Sequence, residues 1–90
     1  MDEEVLEATN ELIKKLETLR LAYNQITELP TAIGGLKNLK SLSIEYNQLT
    51  SLHTAIGELN NLTDLILCEN KITSVPDSIG NLTRLTELNL

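Results

Sequence analysis

The chain has 90 residues, enough for one small domain, and carries 7 Lys or Arg against 13 Asp or Glu for a formal net charge of −6. That sign disfavours a surface for nucleic acid or anionic membrane, since phosphate-rich partners recruit cations. No apolar run is long enough to span a bilayer, and a single cysteine excludes an internal disulfide framework.

The start, Met1-Asp2-Glu3-Glu4, is acidic with no apolar core behind it, unlike a signal peptide. Val5, Leu6, Thr9, Leu12, Ile13 and Leu16 fall at helical spacing along one side. Asp2 suits an N-cap, Glu3 and Glu4 the first turn, and Lys14 and Lys15 the last, in keeping with the helix dipole. Residues 1–15 are therefore expected to form an amphipathic helix that covers the apolar end of the first coil. The acidic side chains Asp2, Glu3, Glu4, Glu7 and Glu11 suit its solvated face; the alternative is a helix that binds a partner.

From residue 16 a 23-residue spacing takes over. Leu16, Leu19, Leu21, Asn24, Ile26, Leu29, Ile33 and Leu36 recur as Leu39, Leu42, Ile44, Asn47, Leu49, Leu52, Ile56 and Leu59, and again as Leu62, Leu65, Leu67, Asn70, Ile72, Val75, Ile79 and Leu82. Leu85, Leu88 and Leu90 open a fourth copy. The boundaries are thus 16–38, 39–61, 62–84 and a partial 85–90. Within each copy, apolar residues alternate with polar ones in the period-2 pattern of a strand with one buried face. An asparagine ends each strand. Its amide has two donors and an acceptor for the free backbone groups of the turn, so Asn24, Asn47 and Asn70 are expected to stack as a ladder. Asn70, with no following coil, is expected to be the incomplete member. Pairs such as Ile56 and Leu59 suit a short helical or 3-10 turn on the opposite side.

This spacing resembles the leucine-rich repeat family, L-x-x-L-x-L-x-x-N-x-L, over residues 16 to 90. Leu29-Pro30-Thr31-Ala32-Ile33-Gly34-Gly35-Leu36 and Val75-Pro76-Asp77-Ser78-Ile79-Gly80-Asn81-Leu82 are similar to its L-P-x-x-I-G-x-L variant. Proline fixes the backbone after the core residue, and glycines at 34, 57 and 80 allow a close or positive-φ approach. In the second copy His53 replaces the proline, which puts the local bend in question. The resemblance implies an α/β right-handed solenoid: a parallel sheet on the concave face, short turns on the convex face, and the N-terminal helix as a cap. It also implies a non-enzymatic protein-interaction module. The variant is common in intracellular adaptors and scaffolds, including relatives that bind Ras-type GTPases, and in bacterial repeat proteins.

Catalytic chemistry is not evident. His53 and Cys68 fall on different parts of the coil and lack further metal-ligating neighbours, so no zinc site or Cys–His pair is expected. Carboxylates do not recur at an acid–base spacing, and Gly34-Gly35 is a turn and not a phosphate loop. No catalytic residue, cofactor or metal is expected. Asn61-Leu62-Thr63 and Asn81-Leu82-Thr83 match the glycosylation sequon, but both arise from the repeat itself.

The strand alternation sets the concave columns: Thr18, Ser41, Asp64 and Glu87; Arg20, Ser43, Ile66 and Asn89; Ala22, Glu45 and Cys68; with Tyr23, Tyr46 and Glu69 at the strand ends. Ile66 and Cys68 are out of character for a solvated face, and tyrosines are frequent interface anchors. The candidate protein-binding residues are therefore Arg20, Tyr23, Ser43, Glu45, Tyr46, Asp64, Ile66 and Cys68. The competing expectation is a self-assembling unit, a fragment or a designed chain. Its uncapped edge at Leu85, Leu88 and Leu90 would then pair with a second copy as a homodimer. The partner is expected to be a protein, neither nucleic acid nor membrane. The absence of cysteine-rich caps favours a cytoplasmic setting.

Overall fold

The computed structural model describes residues 2–90. One helix, α1 (Glu3–Lys14), precedes four short strands, β1 (Thr18–Arg20), β2 (Ser41–Ser43), β3 (Asp64–Ile66) and β4 (Glu87–Asn89). Between them run three 3-10 turns, Thr31–Gly35, Thr54–Glu58 and Asp77–Asn81. The strands form one parallel sheet in the order β1-β2-β3-β4. Register follows the repeat: Leu19 pairs with Leu42, Leu42 with Leu65, and Leu65 with Leu88. Sheet on one side and 3-10 turns on the other make the solenoid that the resemblance implies.

The repeated aliphatic positions fill the space between sheet and turns. In the middle coil Leu39, Leu42, Ile44, Leu49, Ile56 and Leu59 are fully buried, as are Leu62 and Leu65 of the next. Burial declines toward both ends, where Leu16, Leu19, Leu21 and Ile26, and then Ile72, Val75, Ile79 and Leu85, are only partly covered. Each coil buries its aliphatic face against its neighbours, so an end coil has half the contacts.

The proline slot keeps its geometry without proline. Pro30, His53 and Pro76 have φ of −71°, −68° and −67°. His53 supplies what proline cannot, because its Nδ1 accepts a hydrogen bond of 2.9 Å from the Ala55 amide and caps the second 3-10 turn. Of the two uses expected of the glycines, close approach occurs and positive φ does not. Gly57 is required by proximity: a Cβ there would lie 2.6 Å from the carbonyl oxygen of Ser78 on the next coil. Gly80 has open space around it.

Helix α1 forms where its spacing and charges place it, with the Asp2 side chain accepting from the Glu4 amide at 3.0 Å. It does not cover the first coil. No residue of α1 is buried, and Val5, Leu6, Leu12 and Ile13 are all exposed. The reason lies in its docking. The Asn38 amide donates to the Lys14 carbonyl at 2.9 Å, as Asn61 donates to Lys37 at 2.8 Å one coil later. The end of α1 thus holds the place of a convex segment in the row and does not lie across its end. Asn10 stands at the position taken elsewhere by Ile33, Ile56 and Ile79, so the helix lacks the aliphatic side chain that would draw it inward.

Candidate functional site

The outward face of the sheet carries the columns expected from alternation. Arg20, Ser43 and Ile66 end β1, β2 and β3, and Asp64 begins β3 opposite Glu87 of β4. Glu45 and Cys68 continue the second and third strands at equivalent positions, and the Ser43 hydroxyl donates to the Glu45 carboxylate. Ile66 and Cys68 are half-buried, so the middle of the face is apolar and partly accessible. The structure brings Ser43, Glu45, Tyr46, Asp64, Ile66 and Cys68 onto adjacent strands and rim, with Arg20 and Tyr23 on the first coil.

The rim is built from three residues at one register, Tyr23, Tyr46 and Glu69. Each adopts positive φ, at 58°, 58° and 59°. A left-handed backbone at a residue other than glycine costs on the order of 1 kcal/mol and persists only where surrounding bonds enforce it. The next residue is each time the asparagine of the ladder. Asn47 is buried; its Nδ2 donates to the carbonyls of Leu21, Ile44 and Glu45, and its Oδ1 accepts from the Ile26 amide at 3.0 Å. Asn70 repeats the arrangement, donating to Ile44 and Leu67 and accepting from Leu49. Backbone bonds from Tyr23 to Glu45 and from Tyr46 to Cys68 add to the constraint.

The ladder therefore points backward along the chain. Each asparagine serves its own turn and the preceding coil, which makes Asn24 the incomplete member. Asn24 is exposed and bonds only Leu21 and Ala22 of its own turn. The expectation for Asn70 is corrected accordingly. Spacing alone gives no direction, because a periodic row looks the same from either end.

Coils stacked at strand spacing, about 4.8 Å, bring same-register side chains into contact. The Tyr23 and Tyr46 rings stack with centroids 4.5 Å apart and planes 6° from parallel. Tyr23 is 74% and Tyr46 45% exposed, so the stack presents aromatic surface to solvent. The neighbouring Tyr23 hydroxyl, and after it the Glu69 carboxylate, hold the Tyr46 hydroxyl above its ordinary value of 10.0.

Other residues singled out from the sequence fall elsewhere. His53 caps a convex turn, away from the strand position of Cys68, and no group of three potential metal ligands occurs among the described residues. Asn61 of the first sequon is engaged, donating to Lys37 and accepting from Arg84. Asn38 and Asn61 form a second, convex-side asparagine row that the sequence reading missed; their shared register was the available signal. Among the edge residues, Leu85 packs against the core, whereas Leu88 and Leu90 are exposed. Leu90 borders a groove of about 270 Å³ with Leu67, Asn70, Ile72, Thr73, Ser74 and Val75. No helix among the described residues is long and apolar enough to cross a membrane.

Comparison with known proteins agrees with the coil geometry. A family model described as a leucine-rich repeat region matches residues 3–90. A solved leucine-rich repeat protein of Leptospira interrogans is similar at 40% identity and a TM-score of 0.85, over 100% of this chain and 22% of that chain. This chain thus spans less than a quarter of that neighbour's length. No curated protein gives a significant match.

Proposed function

The chain belongs to the leucine-rich repeat family, and from that premise we propose that it is a non-enzymatic protein-interaction module whose partner lies on the concave sheet. The observation that carries this reading is the tyrosine stack at the rim. Two exposed aromatic rings are held at strained backbone positions, and the inner one, Tyr46, adjoins the strand that carries the half-buried Ile66 and Cys68. Rigid aromatic side chains next to a modest apolar centre are the usual composition of interface anchors. The free thiol of Cys68 on this face fits a reducing, cytoplasmic setting, where it stays unpaired.

The test is a comparison of captured proteins. Wild-type chain and the Tyr46→Ala/Ile66→Ala double variant are used as baits, with the convex-side variant Thr54→Ala as a control. A concave partner is retained by wild type and Thr54→Ala and lost with the double variant. Partners that ignore Tyr46 and Ile66 would place the binding elsewhere.

A second reading rests on the last coil, where Leu88 and Leu90 are 44% and 61% exposed beside the 270 Å³ groove. A second copy covering that surface would make the 90-residue chain self-associate. Light scattering across a wide concentration range decides it: a mass that rises with concentration and returns to monomer in Leu88→Ser/Leu90→Ser supports self-association.

A further inference from the structure

Among the described residues, the carboxylates of the concave sheet lack cationic partners, and Glu45 takes only a hydrogen bond from the Ser43 hydroxyl. Among the described residues, ion pairs join Lys14 to Glu11 and Lys40 to Glu17. Glu45, Asp64, Glu69 and Glu87 take part in neither, and the columns contain one cation, Arg20, on the first coil. Lys37 and Arg84 are engaged elsewhere, with the Glu58 carbonyl and Asn61. A partner that covered this face without cations would strand buried charge, which is strongly unfavourable. An acidic partner would add repulsion. The partner's chemistry is therefore constrained even though its identity is not.

The carboxylates are also arranged. Asp64 and Glu87 are register partners at the start of β3 and β4. Beyond the other end of β3 lies Cys68, level with Glu45, which follows β2, and Glu69 and the Tyr46 ring stand on the adjoining rim. Between the two pairs sits Ile66. From residue 64 to residue 68 is four steps of about 3.3 Å, or about 13 Å. Along an extended partner segment, residues i, i+2 and i+4 point to one side and span the same distance.

Resting on the concave-face reading, we propose that the sheet takes an extended protein segment with basic residues at i and i+4 and an apolar residue at i+2. The first cation meets Asp64 and Glu87, the apolar residue packs on Ile66, and the second cation meets Glu45 and Glu69 against the face of Tyr46. Arginine suits the second place better than lysine, because its planar guanidinium stacks on an aromatic ring while bonding a carboxylate.

The test uses end-blocked peptides with isotope-labelled protein at low salt. Two have identical composition, Arg-Gly-Leu-Gly-Arg and Gly-Gly-Leu-Arg-Arg, and the third is an acidic control, Glu-Gly-Leu-Gly-Glu. The spaced peptide is expected to shift the amides of Glu45, Tyr46 and residues 64–68, and to bind about fivefold tighter than the peptide with adjacent arginines. The acidic control should leave the spectrum unchanged. Glu45→Gln/Asp64→Asn, two substitutions at side chains that are not buried, should remove the preference for spacing while the core amides of Leu42 and Leu65 stay in place. Equal binding of both basic peptides, or shifts centred on the acidic side of α1, would overturn the proposal. If the spacing preference is absent but a captured partner still depends on Tyr46 and Ile66, this inference alone fails. If that dependence is absent as well, the concave reading fails with it.

Discussion

Asparagines at one register of the repeat do unequal work, because a bond to a neighbouring coil requires that the neighbour be there. Asn47 is 7% exposed and joins its own turn to the preceding coil through both ends of its amide. Asn47→Ala orphans the part-buried Ile26 amide and removes one donor from the Leu21, Ile44 and Glu45 carbonyls, which keep bonds from Asn24, Asn70 and the Tyr23 amide, and should cost about 1–3 kcal/mol. Asn24→Ala removes two bonds at an exposed turn and should cost less than about 1 kcal/mol. Denaturant titrations of the two variants check the difference, and equal losses would mean that the ladder does not link coils. The tyrosine at the adjacent register makes a second prediction. Tyr46 is held above 10.0 first by Tyr23, then by Glu69. Tyr23→Phe should therefore lower the pH at which the Tyr46 phenolate appears, and Glu69→Gln should lower it less, read from near-ultraviolet absorbance in a chain without tryptophan. With the folded value above the unfolded one, any stability that the neutral ring contributes is intact below pH 10.0 and is lost as pH rises through the folded value. The columns of the site were legible because alternation assigns faces. The ring stack was implicit in the 23-residue spacing. The positive φ at Tyr23, Tyr46 and Glu69 was not legible, since local preference would give that conformation to glycine or asparagine.

At the level of elements, the three 3-10 turns share a shape but differ in what presses on them. Gly57 of the second turn lies under the backbone of Ser78, and no side chain there can move away from a carbonyl oxygen. Gly57→Ala should therefore separate the second and third coils locally, with a loss of about 1–3 kcal/mol as for other overpacked sites. Gly80 of the third turn has nothing within 4 Å of a Cβ and no positive φ. Gly80→Ala should leave stability unchanged or raise it by about 0.4–1 kcal/mol through the unfolded chain. Melting curves of the pair decide the matter, and similar losses would show that the glycine is required by the turn and not by its neighbour. Strands and turns came from aliphatic spacing, and their order in a parallel sheet from the family resemblance. The placement of α1 did not. Amphipathic periodicity marks which side of a helix is apolar, but the surface that meets this side depends on tertiary packing. Asn10 at an aliphatic position was the local sign that α1 would not be drawn in as the later coils are.

Across the whole molecule, stability is distributed along one dimension, since each coil touches only the coils before and after it. The middle coil holds the fully buried Leu39, Leu42, Ile44, Leu49, Ile56 and Leu59, while β4 is exposed throughout and α1 has no buried residue. A 12-residue helix without tertiary packing is marginal in water. Opening should therefore begin at the ends and reach the centre only with global unfolding. Hydrogen exchange makes this visible residue by residue. Amides within α1 should exchange first, then those of β4 and of the first coil. The Ile44 amide, bonded to the Ile66 carbonyl at 2.9 Å inside the sheet, should be among the last. Adding a full consensus coil after Leu90 should slow exchange at Leu67, whose amide bonds the Asn89 carbonyl, and leave α1 unaffected, because the new contacts reach only the nearest coil. Uniform protection from end to end would instead mean that the chain unfolds as a single cooperative block. The stacked tyrosines would then sit on a surface no less stable than the buried centre.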